Sequence, residues 1–507
     1  MTVTLGDRPI SIHQVLSVAR GEGVEIHPEA LQRCTATWEA LMDIADRGHP
    51  KVYGLNTGVG INKDQEVTKD SYCRYNMNML QVHCVGLPPY GNLEEARAVM
   101  VIKLNHLLMG YTGITPRFIT LLKDMINLGV HPAIPLRGSV GEADIACLSH
   151  LGLVMTGQGL VIQDGRPVPS GPELERMGLE AVQPGPKDGL GLVTSNALGE
   201  ALGALILDRI GRIVDTADLV YAMTLEAFHG NPSPLDPRAM DLYPSPGAQR
   251  SAQTVRSLLA GSYIWDDPKS LQDPLSLRCS AMVHGTVRDL IRRCIKVLTA
   301  HINAPDDNPL AFPDGTVVPS ALFEPLPWVV HFEGLKVALG HLAQTVARRT
   351  LRLGSDRFTG LPRFLNNDPC NCHAFGVIQK TLSYLLAEVR HLCNPCSMDV
   401  ESLSEDQEDR GCNTPMVMDQ LGQIAQRLEA LLAIEAIHAA QGMDLRGARY
   451  GVGSSAALER LRREVAFLDV DRDLSCDILS AQALIAGGGL LKASRDALGE
   501  VVAYRDL

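Results

Sequence analysis

The sequence has few aromatic residues, and its basic residues are outnumbered by acidic ones. Phe, Trp and Tyr make up 5% of the 507 residues, so we expect a mainly aliphatic core. The 46 Lys and Arg against 58 Asp and Glu give a formal net charge of −12, and no long Lys/Arg run stands out from that balance. A nucleic-acid partner is therefore not expected.

Signals for entry into or across a membrane are also missing. The N-terminal segment has no basic stretch followed by an unbroken apolar run and a small-residue cleavage site. One window of about 18 or more residues, 145–163, is free of charge, but it contains Ser, His, Thr, Gln and Gly and is not the predominantly apolar run that a membrane-spanning helix requires. The sequence therefore predicts a cytoplasmic protein without membrane contact, whose 12 cysteines are mostly reduced and buried.

The dominant pattern in the sequence is the periodicity of apolar residues that is typical of helices. Apolar residues recur at i, i+3, i+4 and i+7 in six segments, which span residues 29–45, 94–111, 198–223, 334–353, 379–392 and 418–441. Several segments are apolar on more than one side, as in the middle of a bundle or between subunits. The predicted fold class is all-α, a bundle of long helices, and the clearest strand signal is a small hairpin around Asp164-Gly165.

Three loop segments carry side chains that suit catalysis or substrate binding. Tyr53 lies in the Gly-rich segment VYGLNTGVG, Arg278 in LQDPLSLRC and Glu408 in SEDQEDRG. A guanidinium can bind both oxygens of a carboxylate, and a tyrosine hydroxyl held over a ligand can transfer a proton. Taken singly, each residue also fits a structural role, as a turn cap, a surface charge or a helix cap.

The order and spacing of these and further motifs resemble those of the aromatic amino-acid ammonia lyases. The matching motifs are YGLNTGVG with Tyr53, VHCVG with His83, GSVG at 138–141, QDPLSLRC with Gln272 and Arg278, DNPL with Asn308, and QED with Glu408. The chain as a whole resembles histidine ammonia lyase, up to HAAQGMDLRG at 438–447. The resemblance implies an N-terminal domain at residues 1–115 that carries the Tyr53 loop. It also implies a central long-helix bundle with a C-terminal helical region at residues 116–507.

The resemblance further implies an activity. Members of the family eliminate an amine across Cα and Cβ of an amino acid, in homotetramers whose active sites use more than one subunit. The resemblance implies that Tyr53 takes the β proton and that Arg278 holds the substrate carboxylate. In the family, GSVG is followed by Ala-Ser-Gly, which cyclises to a methylidene-imidazolone electrophile. Here Glu142-Ala143-Asp144 follows, the segment is one residue shorter, and no Ala-Ser-Gly occurs in the chain, so no cofactor is expected.

Loss of the electrophile leaves two hypotheses. A free amine is a poor leaving group, so either the protein binds a betaine or histidine-like ligand without chemistry, or its substrate carries a nitrogen that already leaves well. A quaternary ammonium departs as a neutral amine and, while bound, is a permanent cation that favours carboxylates and aromatic faces. Glu142 and Asp144 stand where the electrophile would meet the nitrogen. They equally suit the first turn of a helix running towards Met155.

Other departures from the family pattern are expected around the same cavity. Thr194 stands where the family has Asn, Glu324 stands where it has His, and Phe323 keeps an aromatic wall. Lys380 follows Gly376 by four residues, so we predict that both share a helix face with room beneath the lysine for a substrate ring. A lysine that only extends from an apolar helix is the alternative.

Together these features predict a carbon–nitrogen lyase that releases trimethylamine from an aromatic betaine. Ergothioneine, the betaine of 2-thiolhistidine, is the leading candidate, and its sulfur-free relative hercynine is an alternative. The predicted catalytic residues are Tyr53, Lys380 and Glu408. The predicted substrate-binding residues are His83, Glu142, Asp144, Thr194, Gln272, Arg278, Asn308, Phe323 and Glu324.

Two cysteine pairs match part of a zinc signature. Cys370 and Cys372 lie in CNCH, and Cys393 and Cys396 lie in CNPC. The segment between the pairs is predicted to be helical, and about 20 residues at 1.5 Å each hold them about 30 Å apart. A shared metal site is therefore not expected.

Overall fold

Helices make up most of the chain, as the apolar periodicity predicts. The fold is that of a computed structural model, which describes residues 2–368 and 372–499. The first helices are α1 (Ile12–Ala19), α2 (Pro28–Arg47), α3 (Tyr72–Val82), α4 (Leu93–Leu108), α5 (Pro116–Leu128), α6 (Ile145–Met155), α7 (Ser170–Arg176) and α8 (Asp188–Val193). They are followed by α9 (Ala197–Phe228), α10 (Pro237–Met240), α11 (Pro246–Leu258), α12 (Leu275–Arg278), α13 (Ser280–Ile302), α14 (Leu326–Leu353), α15 (Asp356–Thr359), α16 (Gln379–Leu392), α17 (Thr414–Arg446), α18 (Val452–Arg462), α19 (Leu474–Ala486) and α20 (Gly489–Leu498).

Short strands pair two by two between the helices. They are β1 (Thr2–Leu5), β2 (Gly23–Ile26), β3 (Leu87–Tyr90), β4 (Pro135–Arg137), β5 (Leu160–Gln163), β6 (Arg166–Pro169), β7 (Leu310–Ala311) and β8 (Val317–Val318). β1 and β2 are parallel, whereas β3–β4, β5–β6 and β7–β8 are antiparallel. β5 and β6 flank Asp164-Gly165 with Val161 opposite Val168, which confirms the predicted hairpin.

The chain divides into two units by residue contacts. Unit 1 comprises Met1–Ile206, Cys294–Phe332 and Pro395–Asp419. Unit 2 comprises Leu207–Arg293, Glu333–Asn394 and Gln420–Leu507. The boundary predicted after residue 115 falls inside unit 1, and the division into an N-terminal domain and a bundle stays a prediction.

The six predicted helical segments are confirmed as α2, α4, α9, α14, α16 and α17. α16 has the predicted bounds, Gln379 to Leu392. The ends of α2 follow local chemistry, because Pro28 occupies its first position and Gly48, with φ 73°, ends it.

Helix α4 lies in the interior of unit 1. A capping box between Asn92 and Glu95 starts the helix, and every residue from Ala96 to Leu108 is buried. Arg97 is buried within this stretch, and its guanidinium donates to the carbonyls of Val18 and Ile126 at 2.7 Å each. Backbone carbonyls thus stabilise a cation that burial alone would penalise.

A buried ionic network ties the long helices within unit 2. Arg349 on α14 donates to both carboxylate oxygens of Glu435 on α17, at 2.6 and 2.9 Å. The Asp218 carboxylate on α9 lies 2.7 Å from Nδ1 of His284 and 2.6 Å from Nη2 of Arg288. Both of these partners are on α13. Each charge in this set has a partner, which is the condition for burying it.

One helical stretch within the described residues, Asp188–Phe228, is long and apolar enough to cross a membrane. Its apolar window is 89% buried inside the protein, as in a core helix of a globular fold. Helices α19 and α20 pass the same test only as a pair bent by 58°.

Candidate active site

The Tyr53 loop of unit 1 is held in shape by Asn56. The Asn56 amide accepts from the Val52 N–H at 2.7 Å and donates to the Pro50 carbonyl at 2.9 Å. The Tyr53 hydroxyl oxygen accepts the backbone N–H of Gly60 at 2.8 Å. The phenolic oxygen therefore has a fixed position and a donor that stabilises its anionic form.

Tyr53 and Glu408, which were predicted separately as catalytic residues, lie close together in unit 1. Burial raises the pKa of Tyr53 above its usual value, the Gly60 N–H opposes this rise, and the Glu408 charge adds to it. Glu408 Oε1 lies 3.8 Å from the point where a side chain on Gly60 would begin. In the free protein Tyr53 is therefore a protonated phenol beside a carboxylate.

The GSVG loop is bonded to the segment that follows Glu408. The Val140 carbonyl accepts the backbone N–H of Cys412 at 3.0 Å and that of Asn413 at 2.7 Å. Gly141 has φ 83°, and a Cβ there would lie 2.6 Å from the backbone nitrogen of Thr414. The approach of the two segments thus requires glycine at position 141.

Asp144 caps a different helix from the one predicted. It stands at the N-cap position of α6, but its side chain makes no cap hydrogen bond there. Instead, its carboxylate accepts the Ser139 hydroxyl at 2.6 Å and the Gly199 N–H at 2.9 Å, in the first turn of α9. Asp144 thus stands at the start of the helix towards Met155, as predicted, but its carboxylate bonds to the first turn of α9 and not to that of α6.

We predict that Asp144 contributes mainly to stability. Asp144→Ala leaves the Gly199 N–H buried without an acceptor, so the free energy of unfolding should fall by about 1–3 kcal/mol. Asp144→Asn keeps one oxygen for that N–H and should lose less. Denaturant unfolding measures both, with Asp43→Ala at a side chain that is 80% exposed as the control. Wild-type stability of Asp144→Ala together with a raised Michaelis constant would instead indicate direct substrate contact.

A buried lysine holds the backbone of the segment that contains Thr194. Lys103 on α4 donates to the carbonyls of Gly191 at 2.8 Å and Thr194 at 3.0 Å. Burial lowers the pKa of Lys103, while the carboxylates of Asp306 and Asp307 oppose this fall. Thr194 itself is buried and ends α8.

The next two residues connect this segment to Phe323. The Ser195 hydroxyl and the Asn196 N–H both donate to Asp306 Oδ2, at 2.7 and 2.9 Å. The Asn196 amide donates to the Phe323 carbonyl at 2.5 Å. Phe323 is half-buried, and Glu324 follows it directly in the chain.

Two predicted acids and a thiol form a cluster in unit 1. A carboxylate oxygen of Glu142, a carboxylate oxygen of Glu324 and the Cys412 Sγ all lie within 4.8 Å of one another. Glu142 Oε1 is buried and has no hydrogen-bond partner among the described residues, although the Glu142 carboxyl interacts through side-chain hydrogen bonds with Cys412 and Glu324. Glu324 accepts the Cys412 thiol at 3.2 Å and Arg410 Nε at 2.5 Å.

The Glu142 carboxyl of the cluster is partly protonated near neutral pH. Burial raises the pKa of Glu142 to about 7, the Glu324 charge adds to the rise, and Arg410 opposes it. Burial also raises the pKa of the Cys412 thiol to about 12. The cluster therefore combines one ionised carboxylate, one carboxyl that is about half protonated near pH 7, and a neutral thiol.

His83 and Asn308, also in unit 1, have defined partners. His83 ends α3, and its Nδ1 lies 2.7 Å from the Met79 carbonyl, so Nδ1 carries the hydrogen and Nε2 is left for a ligand. Asn308 accepts the Ser320 N–H at 2.9 Å, which orders the loop ahead of Phe323.

The remaining predicted residues belong to unit 2. Gln272 accepts Arg278 Nη1 at 3.0 Å, which orients the guanidinium. Arg278 Nε is buried and has no hydrogen-bond partner among the described residues. This pair can offer a directed N–H group to a carboxylate.

Lys380 is exposed on α16, and the predicted face shared with Gly376 is wrong. Gly376 belongs to a 3₁₀ turn, Ala374–Gly376, and α16 begins only at Gln379. The space at Gly376 is occupied by the Phe364 ring, 3.1 Å from where a Cβ would sit. No gap beneath the lysine follows from the missing side chain.

The cysteine pairs give no test of a shared metal. Cys370 lies outside the described residues, and the Cys372 thiol donates to Asp471 at 2.8 Å. The Cys393 thiol donates to the Lys336 carbonyl at 3.0 Å.

Sequence reasoning missed Arg410, Cys412 and the buried lysine beneath Thr194. Arg410 is the one basic residue directly after Glu405, Asp406, Glu408 and Asp409, which was an available signal for an internal ion pair. Lys103 gave no such signal, because it sits within a long apolar helix where lysines usually reach the surface.

Comparison with known proteins shows which family the chain belongs to. The family model described as aromatic amino acid lyase matches residues 10–465. The histidine ammonia-lyase of Gloeobacter violaceus is 37% identical over 506 residues and 97% of each chain. Ergothionase from Treponema denticola, solved in complex with desmethyl-ergothioneine sulfonic acid, is 38% identical with a TM-score of 0.95, over 97% of this chain and 100% of that one. Histidine ammonia-lyase from Trypanosoma cruzi is 28% identical with a TM-score of 0.89, over 99% and 96% of the two chains. This protein belongs to the aromatic amino acid lyase family, whose members are carbon–nitrogen lyases.

Proposed function

We propose that this lyase eliminates trimethylamine from an aromatic betaine, ergothioneine, to give thiourocanate, and that it does so without a methylidene-imidazolone group. The observation that carries the proposal is Glu142, which stands where the family has the electrophile and whose buried Oε1 has no hydrogen-bond partner among the residues that the structure describes, beside Cys412 and Glu324.

The residues at this position do not fit the family's prosthetic group. The group requires Ala-Ser-Gly, and the chain has Glu142-Ala143-Asp144. The Asp144 N–H donates to the Ser195 carbonyl at 2.6 Å, and its carboxylate is bonded in the first turn of α9. The backbone and the side chain of Asp144 are thus both engaged in hydrogen bonds.

Without an electrophile, the leaving group itself must be good. Ammonia leaves a carbon poorly unless its nitrogen is captured or protonated, and no described group of the site supplies covalent capture. A trimethylammonium group leaves as neutral trimethylamine, so heterolysis of the C–N bond needs no acid. The substrate, not the protein, then provides the activated nitrogen.

The acid cluster suits the cation of such a substrate. A quaternary ammonium has no N–H to donate, so it is held by charge and by apolar or aromatic contact. Glu142 and Glu324 supply charge, and Phe323 lies next to Glu324 in the chain. We assign the trimethylammonium site to Glu142 and Glu324, with Thr194 as a flanking contact.

Tyr53 is the proposed base for the β proton. Its oxygen accepts the Gly60 N–H, which stabilises the phenolate. Burial and Glu408 favour the phenol in the free protein, and a bound cation shifts the balance back towards phenolate. In the step itself Tyr53 acts as the phenolate, formed when its own proton passes to solvent on binding; the β C–H pair becomes the double bond, the proton goes to Tyr53 and the C–N pair leaves with trimethylamine.

The other predicted residues orient the substrate. Arg278, held by Gln272, takes the carboxylate, and His83, Lys380 and Glu408 contact the thioimidazole ring. His83 bonded through Nδ1 presents Nε2, which can accept a ring N–H. We propose a homotetramer in which more than one subunit supplies these groups.

Similarity to named proteins supports two different substrates. Ergothionase of Treponema denticola is 38% identical, and curated relatives at 33–37% identity are histidine ammonia-lyases. Identity alone does not separate the two. The missing Ala-Ser-Gly and the acid cluster favour the betaine.

The test is a comparison of ergothioneine, hercynine and histidine with the purified protein. Ultraviolet spectra report the conjugated acrylate, and a separate assay reports released trimethylamine or ammonia. We expect trimethylamine and thiourocanate in equal amounts from ergothioneine. Turnover of hercynine alone would change the assigned ring, and ammonia from histidine would refute elimination without the electrophile.

A further inference from the structure

The proposed cation site already contains the guanidinium of Arg410. Arg410 Nε lies 2.5 Å from Glu324 Oε2, and Nη2 lies 3.3 Å from Oε1. The Arg410 side chain is 53% exposed, whereas that of Glu324 is 25% exposed. The guanidinium thus reaches in from solvent to a more enclosed carboxylate.

Glu324 is fixed by contacts that do not depend on Arg410. Its Oε1 accepts the Leu326 N–H at 2.9 Å, at the start of α14, and the Cys412 thiol at 3.2 Å. Departure of the guanidinium would therefore leave the carboxylate in place. An exposed ion pair is worth only up to about 1 kcal/mol, so a better-placed cation can replace it.

Glu142 has a different relation to the same groups. The charged and titratable groups that face it are Glu324, Arg410 and Cys412. Arg410 is hydrogen-bonded to Glu324 and not to Glu142, whose Oε1 has no partner among the described residues. The Glu142 and Glu324 carboxyl groups lie within 4.8 Å of each other and share one guanidinium, that of Arg410, so keeping a proton on Glu142 is favoured.

We propose that Arg410 is an internal counter-ion which the quaternary ammonium of the substrate replaces, and that Glu142 releases its proton as the ammonium binds. This inference rests on the proposed function and assigns Arg410 as a specificity-determining residue of its cation site. A permanent cation placed between the carboxylates favours both in ionised form, while Arg410 turns into solvent. A primary ammonium could share its own protons with Glu142 and would need no such release.

The consequence is a pH-dependent affinity. The pKa of Glu142 is raised to about 7, so its carboxyl is protonated well below that pH and must ionise on binding. Affinity for a quaternary ammonium should therefore rise with pH up to about 7 and level off above it, by about tenfold per pH unit at most.

Calorimetric titration with tetramethylammonium chloride tests the inference without requiring turnover. We expect heats at pH 7 that depend on the ionisation enthalpy of the buffer, which reports a released proton. Glu142→Gln should abolish that dependence. Arg410→Met should bind tetramethylammonium about fivefold more tightly at pH 8, since no internal cation competes.

Arg117→Met is the matched control, because it removes an exposed arginine from a 2.8 Å ion pair with Glu180 elsewhere in unit 1. Circular dichroism and size-exclusion chromatography check that each variant keeps its fold. Absence of tetramethylammonium binding, weaker or unchanged binding to Arg410→Met, or heats that do not depend on the buffer would each overturn the inference.

The outcomes separate this inference from the proposed function. Turnover of ergothioneine with no effect of Arg410→Met on tetramethylammonium binding would refute only the counter-ion. Proton-linked binding of tetramethylammonium without turnover of any betaine would refute the lyase and leave the cation site standing.

Discussion

Replacing Tyr53 by Phe should lower the turnover of ergothioneine by at least about 10³-fold, because the variant has no group to take the β proton. The Tyr53 oxygen is fixed by the Gly60 N–H at 2.8 Å and lies near the Glu408 carboxylate. Removal of the hydroxyl leaves the Gly60 N–H without this acceptor, but the Asn56 hydrogen bonds that hold the rest of the loop remain. Release of trimethylamine, followed over time, measures the effect.

Tyr90→Phe is the control for this variant, since Tyr90 is a half-buried tyrosine on β3 of the same unit. It should turn over ergothioneine at the wild-type rate. Binding of ergothioneine to Tyr53→Phe, measured by calorimetry, should persist. Turnover by Tyr53→Phe within a few-fold of wild type would remove Tyr53 from the mechanism.

Replacing Arg278 by Lys should lower kcat/KM by about 10²-fold, because an ammonium cannot make two parallel hydrogen bonds to a carboxylate. Arg278 Nε is buried without a partner among the described residues, and Gln272 holds Nη1 at 3.0 Å. Lysine retains the charge, so the loss reports geometry rather than attraction alone. Steady-state kinetics with ergothioneine give the value.

An ergothioneine ester, which lacks the carboxylate charge, separates substrate binding from a change of fold. Wild type and Arg278→Lys should turn over the ester equally slowly. Arg238→Lys serves as a control in unit 2, at an exposed arginine paired with Asp236 at 2.6 Å. If Arg278→Lys affects the ester as strongly as ergothioneine, the carboxylate contact is wrong.

The fold was predictable where periodicity is strong. The bounds of α16 and the hairpin at Asp164-Gly165 follow from local patterns, because both depend on residues close in sequence. The bond from Asp144 to Gly199 did not follow, since it joins residues 55 positions apart and a carboxylate near two helix starts can cap either. The same limit applies to Gly376, whose space is taken by Phe364 from an earlier turn.

The closeness of two predicted acids could be expected from the sequence, but their charge state could not. Glu142 and Glu324 were expected near one cavity, and the structure brings them together with Cys412. Glu324 is paired with Arg410, and Glu142 is partly neutralised by a proton. Both effects depend on distances of a few ångströms, which a sequence motif does not determine. Arg278 and Lys380 lie in unit 2.

The most direct measurement is simultaneous assay of trimethylamine and thiourocanate from ergothioneine, by wild-type protein with and without prior treatment with borohydride. Hydride inactivates a lyase that depends on an electrophilic prosthetic group. We expect both products in equal amounts and at equal rates before and after treatment. Loss of activity after treatment, or ammonia from histidine in place of trimethylamine from ergothioneine, would contradict elimination without an electrophile.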